Sequence, residues 1–143
     1  MHMRFLITGG AGFIGSHLSE RLILQGHRVT VLDDLSTGSL DNLSALTGHP
    51  HFEFVQGSVL SRALVGRLVA ASDRVIHLAA AVGVRRILQD PLSSLKINID
   101  GCDNVLSACA DDSVRPPRLD ASIALPETST VNRSATPTPN LTT

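Results

Sequence analysis

Long apolar runs, cysteine and an excess of either charge are all scarce in this chain of 143 residues. No stretch approaches the ~18 apolar residues that a membrane-spanning helix requires, and the apolar run near the N-terminus is too short for a signal peptide. The formal net charge of -1 argues against a nucleic-acid-binding surface and against a charged tail or membrane surface. These absences predict a cytoplasmic protein with no membrane or nucleic-acid partner.

The sequence also lacks any sign of a disulfide or a metal site. Cys102 and Cys109 lie on a predicted helix, where the rise of ~1.5 Å per residue separates them by about 10 Å, too far for a disulfide. The histidines show no ligand spacing typical of a metal site, and the His-Pro-His run at 49–51 is interpreted as a polar turn. We therefore interpret the cysteines as small core residues.

What the sequence does contain is an alternation of strands and helices. It is 43% hydrophobic and 17% charged, a composition that can bury a core. Apolar runs predict strands at 4–8, 28–33, 52–56 and 74–79, and apolar periodicity predicts helices at 12–25, around 60–68, and after Asp90. This order predicts an α/β fold with a parallel sheet, right-handed crossovers and helices on both faces.

The last predicted helix begins at Asp90 as N-cap, with Pro91 in the first helical position. Apolar residues then recur every three or four positions, which predicts a single buried face; they are Leu92, Leu95, Ile99, Cys102, Leu106 and Cys109.

The character of the chain changes after residue 112. Residues 113–143 contain five of the seven prolines and have almost no hydrophobic periodicity. We therefore predict two parts, a domain over 1–112 that is truncated after about four strands and an irregular tail over 113–143. The fourth strand would then be an exposed apolar edge, which predicts homodimers or aggregates.

Three glycines mark the junction of the first strand and the first helix. Gly9 allows the tight turn, Gly12 lets the backbone approach a pyrophosphate, and Gly15 lets the helix pack closely on the strand. The N–H groups at the start of the helix would hold the phosphate charge. Asp33 ends the next strand, where a carboxylate binds both adenosine ribose hydroxyls and repels a 2′-phosphate. The pattern predicts binding of NAD in preference to NADP.

Four motifs, TGGAGFIGSHL, VLDDLSTG, VIHLAA and DPLSSLKINIDGCDNVL, resemble the N-terminal part of an extended short-chain dehydrogenase/reductase. The similarity is greatest to NAD-dependent nucleotide-sugar epimerases, dehydratases and UDP-glucuronate decarboxylases, and it covers roughly residues 3–112. It implies a Rossmann-type sheet, NAD as the cofactor and, in the intact family, a nucleotide-sugar substrate.

The resemblance also implies a set of cofactor-binding residues. Beyond the three glycines and Asp33, Phe13 and Ile14 would contribute backbone contacts. Asn98 would support the backbone of the active site. The remaining positions belong to the loop beside the adenosine, the segment after the third strand and the segment on the nicotinamide side; they are Ser36, Thr37 and Gly38, then Ser58 and Val59, then Leu78, Ala79 and Ala80.

Several positions depart from the family pattern. Ser58 stands where the family has an aspartate that contacts the adenine amino group, which implies weaker affinity. Arg85 and Arg86 follow the fourth strand, where they are either solvated or contacts for a diphosphate. The family uses a Tyr-x-x-x-Lys pair, in which the tyrosine is the general acid and base and the lysine lowers its pKa, but this sequence has no tyrosine. The resemblance thus implies no catalytic residue here, and His77 is interpreted as a packed or cofactor-lining residue.

Two classes of function remain open from the sequence. The chain is either the NAD-binding portion of a nucleotide-sugar epimerase, dehydratase or decarboxylase, inactive alone, or a non-enzymatic dinucleotide-binding sensor or interaction module. The tail favours the first. Read one nucleotide out of frame, the codons of residues 129–133 permit Tyr-Gly-Lys-Pro, so we hypothesise a frameshift from about residue 116, which the nucleotide sequence would decide.

Overall fold

The computed structural model describes residues 2–81 and 88–111, together with the backbone of residues 118–122. One parallel sheet contains five strands in the order β3-β2-β1-β4-β5. The predicted parallel α/β architecture is therefore confirmed. The strands are β1 (Arg4–Thr8), β2 (Arg28–Asp33), β3 (Phe52–Gln56), β4 (Arg74–His77) and β5 (Arg118–Ser122).

Helices cover both faces of the sheet. They are α1 (Phe13–Leu24), a short 3-10 helix (Leu40–Leu46), α2 (Arg62–Ala70) and α3 (Pro91–Cys109). On one face, α1 and the 3-10 helix pack on alternate side chains of the central strands. On the other face, α2 and α3 pack on the intervening side chains of the same strands. No helix in the described part of the chain is long and apolar enough to cross a membrane.

The start of α3 agrees with the sequence. Asp90 is the N-cap, its carboxylate accepts a hydrogen bond from the Ser93 N–H at 3.0 Å, and Pro91 opens the helix. Such a cap satisfies one of the N–H groups that a helix leaves without a partner.

The buried face predicted for α3 is wrong at its leucine and isoleucine positions. Leu92, Leu95 and Ile99 are 78%, 56% and 52% exposed, and Leu106 is exposed as well. The helix buries Cys102 together with three positions that were not predicted, namely Ser94, Gly101 and Val105. The physical reason is close approach, because small side chains bring this helix nearer to its neighbours than a row of leucines would.

A fifth strand lies within the segment predicted to be irregular. Arg118–Ser122 pairs in parallel with β4, with a register irregularity between Val75 and Ile76. The expectation of an exposed edge at β4 is therefore wrong, and the argument for dimers or aggregates that rested on it is removed. The proposed frameshift and the division at residue 112 stay predictions, and most of the tail lies outside the described residues.

The strand order also locates the site. From β1 the chain adds β2 and β3 on one side, then crosses over to add β4 and β5 on the other. Loops therefore leave β1 and β4 in opposite directions at the carboxyl edge of the sheet. In open α/β sheets this reversal leaves a crevice in which ligands bind.

Candidate nucleotide-binding site

An open cleft of about 300 Å³ lies at that reversal. All but three of the residues that the sequence analysis assigned to cofactor binding line it, the exceptions being Gly38, Ser58 and Asn98. The residues brought together are Gly9, Gly12, Phe13, Ile14, Gly15, Asp33, Ser36, Thr37, Val59, Leu78, Ala79 and Ala80.

The glycine turn after β1 requires glycine at two positions. Gly9 has a φ of 70°, which side chains disfavour, and a Cβ there would lie 2.6 Å from the Ala79 nitrogen. A Cβ on Gly15 would lie 2.5 Å from the Gly10 Cα. The turn is thus packed backbone against backbone, between the end of β4 and the start of α1.

The N-terminus of α1 opens into the cleft. Gly12 is its N-cap and offers no side chain to the first-turn N–H groups, and the first turn contains no acidic residue. Phe13, Ile14 and Gly15, which follow Gly12, also line the cleft. Uncapped amides and the positive end of the helix dipole together favour an anion at this position.

Asp33 lies at the end of β2 with only 8% of its surface exposed. One carboxylate oxygen accepts the Ala11 N–H at 2.9 Å and the other accepts the Leu35 N–H at 2.8 Å. Each oxygen has a second lone pair, so the carboxylate can still accept hydroxyl groups from the cleft. Leu35 has a φ of 60°, so this loop keeps an uncommon conformation that the Asp33 hydrogen bond supports.

Ala11 is fully buried behind the glycine turn. Its carbonyl oxygen accepts hydrogen bonds from the Ser39 N–H at 3.1 Å and from the Asn42 amide at 2.8 Å. Gly38 packs on it, since a Cβ at Gly38 would lie 2.9 Å from Ala11 atoms. Gly38 therefore supports the turn from behind rather than lining the cleft, and Asn42 is a support that the motif did not reveal.

The segment after β3 presents Val59 to the cleft and turns Ser58 away. The Ser58 hydroxyl accepts a hydrogen bond from the Leu60 N–H at 3.2 Å, within its own turn. Its assignment as a cofactor contact stays a prediction. The hydroxyl is engaged locally because a serine two residues before a free N–H readily closes such a turn.

The segment after β4 forms the opposite wall. Asn98, behind this wall, accepts the Ala81 N–H at 2.7 Å and donates to the Ala81 carbonyl oxygen at 3.3 Å. The Thr8 hydroxyl accepts the Ala79 N–H at 3.3 Å. Both ends of the wall are thus tied to regular elements. The supporting role that the family resemblance implies for Asn98 stays a prediction.

His77 lies beneath this wall and does not line the cleft. Its Nδ1 is 2.6 Å from the Thr8 hydroxyl oxygen, and Nε2 has no hydrogen-bond partner among the described residues. Burial lowers the pKa of His77 from its usual value. The ring is therefore a packed link between β1 and β4 whose burial disfavours the charged form.

Three further residues line the cleft, namely Asp34, Ala81 and Ile97. Asp34 is exposed and accepts the Ser36 N–H at 2.9 Å, and its position beside Asp33 is a visible sequence signal. Ile97 has no such signal, because helical periodicity does not reveal which neighbour a face meets. Arg85 and Arg86 lie outside the described residues.

The sequence of this chain is similar to known proteins over most of its length. The family model described as GDP-mannose 4,6 dehydratase matches residues 6–130. A UDP-glucose 4-epimerase of Mycolicibacterium smegmatis is 41% identical over 114 residues, which cover 79% of this chain and 36% of the relative. A UDP-N-acetyl-alpha-D-glucosaminuronate decarboxylase of Bacillus cytotoxicus is 41% identical over 108 residues, 76% of this chain and 33% of the relative.

Solved structures are similar over the same part of the chain. The dTDP-glucose 4,6-dehydratase DesIV of Streptomyces venezuelae, with NAD and TYD bound, superposes with a TM-score of 0.72 at 33% identity, over 78% of this chain and 37% of that one. The Bordetella bronchiseptica enzyme WbmG, in complex with NAD and UDP, superposes with a TM-score of 0.72 at 33% identity, over 85% of this chain and 37% of that one. The chain thus spans about a third of the curated relatives it matches.

Proposed function

We propose an NAD-binding function from the premise that this chain belongs to the GDP-mannose 4,6 dehydratase family, whose model matches most of its length. In this proposal the chain is the N-terminal, cofactor-binding portion of an enzyme that modifies a nucleotide sugar. Because the chain spans about a third of its curated relatives, the activity and substrate of the whole protein belong to the proposal.

One observation carries the proposal: the uncapped N-terminus of α1 and the Asp33 carboxylate face the same cleft. The amides favour the two phosphates of a dinucleotide. The carboxylate accepts two neighbouring ribose hydroxyls, which fits the adenosine half. A tight packing turn alone would require neither an open helix N-terminus nor an acid beside it.

The same carboxylates set the choice between NAD and NADP. Asp33 and the exposed Asp34 both line the cleft where the adenosine ribose would lie. A 2′-phosphate carries negative charge, so it would meet two carboxylates at short range and lose affinity. This electrostatic argument supports NAD as the preferred cofactor.

The two ends of the cleft suit the two ends of the dinucleotide. Val59 supplies an apolar wall on the β3 side, where the adenine would lie. Leu78, Ala79 and Ala80 leave room on the β4 side for the nicotinamide. Bound NAD would supply a hydride acceptor at that ring, while this chain's residues bind and orient it. With no tyrosine in the sequence, we expect no turnover of a nucleotide sugar by this chain alone.

Calorimetric titration of the purified chain with NAD and with NADP tests the proposal. We expect a dissociation constant for NAD of about 1 mM or tighter, weaker binding of NADP, and no conversion of UDP-glucose by the NAD-loaded chain. Absence of NAD binding at saturating concentration would overturn the proposed function. Turnover of the sugar would contradict the assignment of this chain as a cofactor-binding portion only.

The expected cytoplasmic location and the nucleotide-sugar partner stay predictions. The family supports the partner, since relatives are named for UDP-glucose and for a UDP-linked uronate. If NAD binds and nucleotide sugars leave its affinity unchanged, the result favours a cofactor-binding portion whose substrate residues lie elsewhere.

A further inference from the structure

Val59 forms the cleft wall beyond β3 although it belongs to the core. Its side chain lines the cleft and is only 5% exposed. The turn that carries it is closed by Ser58, whose carbonyl oxygen accepts the Ser61 N–H at 3.0 Å. The position of this wall therefore depends on what packs against Val59 from the protein interior.

Helix α3 supplies that contact through two residues on one face. Gly101 and Asn104 are three residues apart, so they are neighbours on the helix surface. The Asn104 amide donates to the Val59 carbonyl oxygen at 3.0 Å. A Cβ on Gly101 would lie 2.6 Å from Cγ2 of Val59 and 3.4 Å from its Cβ. The helix thus binds the backbone of Val59 through Asn104. Between Gly101 and the Val59 side chain there is no space for a further atom.

Glycine is among the least favourable residues in a helix interior, and Gly101 lies near the middle of α3. Gly66 in α2 shows the contrast, because among the described residues no atom outside its own stretch of helix lies within 4 Å of the position of its Cβ. Steric space therefore requires glycine at position 101 but not at position 66.

A side chain at position 101 would displace Val59 toward the cleft. Val59 belongs to a buried cluster that includes Leu32, Val65 and Val105, and a close-packed core yields little. Valine is branched at Cβ, so it has few alternative rotamers with which to avoid the contact. The open cleft is therefore the direction in which the Val59 side chain can move.

We propose that Gly101 and Asn104 are positioning residues that set, through Val59, the width of the cleft at its nucleotide-base end. The inference rests on the proposed NAD-binding function, in which the adenine lies against Val59. Neither residue lines the cleft, so in this proposal they act on binding through Val59.

The test compares Gly101→Ala with Gly66→Ala, the same change in the neighbouring helix, in NAD and ADP titrations. Since overpacking a well-packed site is costly, we expect Gly101→Ala to weaken the binding of NAD and of ADP by about tenfold each. Gly66→Ala should leave both affinities unchanged. Equal affinities for the two variants would overturn the inference, whereas failure of the unmodified chain to bind NAD would overturn the proposed function together with it.

Rescue separates displacement of Val59 from general damage to the fold. Adding Val59→Ala to Gly101→Ala removes Cγ2, the atom that is overlapped, so the double variant should bind NAD to within about threefold of Val59→Ala alone. In the unmodified background, Val59→Ala should not tighten binding. Absence of rescue in the double variant would contradict the proposed route.

Displacement of the whole helix is the competing outcome, and nicotinamide mononucleotide detects it. A shift of α3 would also disturb Asn98 and the wall it holds at Ala81, weakening this ligand in ligand-detected NMR titrations. We expect its affinity to be unchanged by Gly101→Ala, and a parallel loss would contradict the inference. Asn104→Ala leaves Gly101 in place and should weaken the binding of ADP about threefold. This variant replaces Gly101→Ala in the test if Gly101→Ala does not fold.

Discussion

At the scale of single residues, Asp33 holds two backbone segments together and also lines the cleft. It accepts N–H groups from Ala11 in the glycine turn and from Leu35 in the next loop. Both of these loops meet the proposed cofactor. The carboxylate therefore contributes to the stability of the empty protein as well as to recognition.

Asp33→Asn tests both contributions. An amide presents one oxygen and one NH₂ group, so one of the two backbone N–H groups would face a donor and lose its partner. We expect the free energy of unfolding to fall by about 1–3 kcal/mol, measured by urea denaturation, and the preference for NAD over NADP to decrease. Asp34→Asn removes the same charge from an exposed residue, and should lower the preference with little change in stability. Equal stability losses would contradict this account of Asp33.

Asn42 acts on the same turn from the opposite side. Its amide donates to the Ala11 carbonyl oxygen at 2.8 Å. We expect Asn42→Ala to lower the free energy of unfolding by about 1 kcal/mol and to weaken NAD several-fold, since the turn would be less well ordered. The control is Ser44→Ala in the same 3-10 helix, whose hydroxyl donates only to the Asp41 carbonyl oxygen. It should leave NAD affinity unchanged in the same calorimetric titration.

At the scale of elements, α3 shows why periodicity is an incomplete guide. Its leucine and isoleucine positions repeat as a buried stripe would, yet Leu92, Leu95 and Ile99 are exposed. The packed face passes through Ser94, Gly101 and Val105. Spacing identifies a helix and its faces, but the distance to the neighbouring element decides which face is buried.

The His77 ring, which links β1 and β4, predicts that the stability of the chain depends on pH. The pKa of His77 is lowered by burial in the folded chain, whereas in the unfolded chain it returns to about 6.5. Protons then bind preferentially to the unfolded chain, so this contribution to stability is present above pH 6.5 and is lost as the pH falls through the folded-state pKa.

Urea denaturation from pH 8 to pH 5 checks this dependence, with His77→Leu as the comparison. The other histidines are common to both chains and cancel in the difference. We expect the unmodified chain to lose more stability than His77→Leu below pH 6.5, and the two to be parallel above pH 7. Parallel curves over the whole range would show that the ring does not stay neutral in the fold.

At the scale of the whole molecule, β5 pairs with β4 and covers its edge. Without it, β4 would present unpaired backbone groups, which recruit other chains. We expect a chain ending at residue 117 to be less stable and to self-associate more than one ending at residue 122. Urea denaturation and sedimentation velocity measure the two properties. Indistinguishable behaviour of the two chains would contradict a stabilising role for β5.

The sequence by itself determined the first four strands and the three α-helices, and it indicated the chemistry of the site. Apolar runs located β1 to β4, Asp90 marked the start of α3, and the glycine turn followed by Asp33 indicated a dinucleotide site. These features depend on neighbours along the chain, on turn conformations and on the sequence order of strand ends, so they can be recognised in one dimension.

Tertiary structure decided everything that depends on contacts between distant segments. The support of Ala11 by Asn42, the hold of α3 on Val59 and the pairing of β5 with β4 each join residues far apart in sequence. No local pattern marks them, because an asparagine or a helical glycine looks the same whether it faces solvent or a partner. Only the folded chain brings the partners within hydrogen-bonding and van der Waals distance.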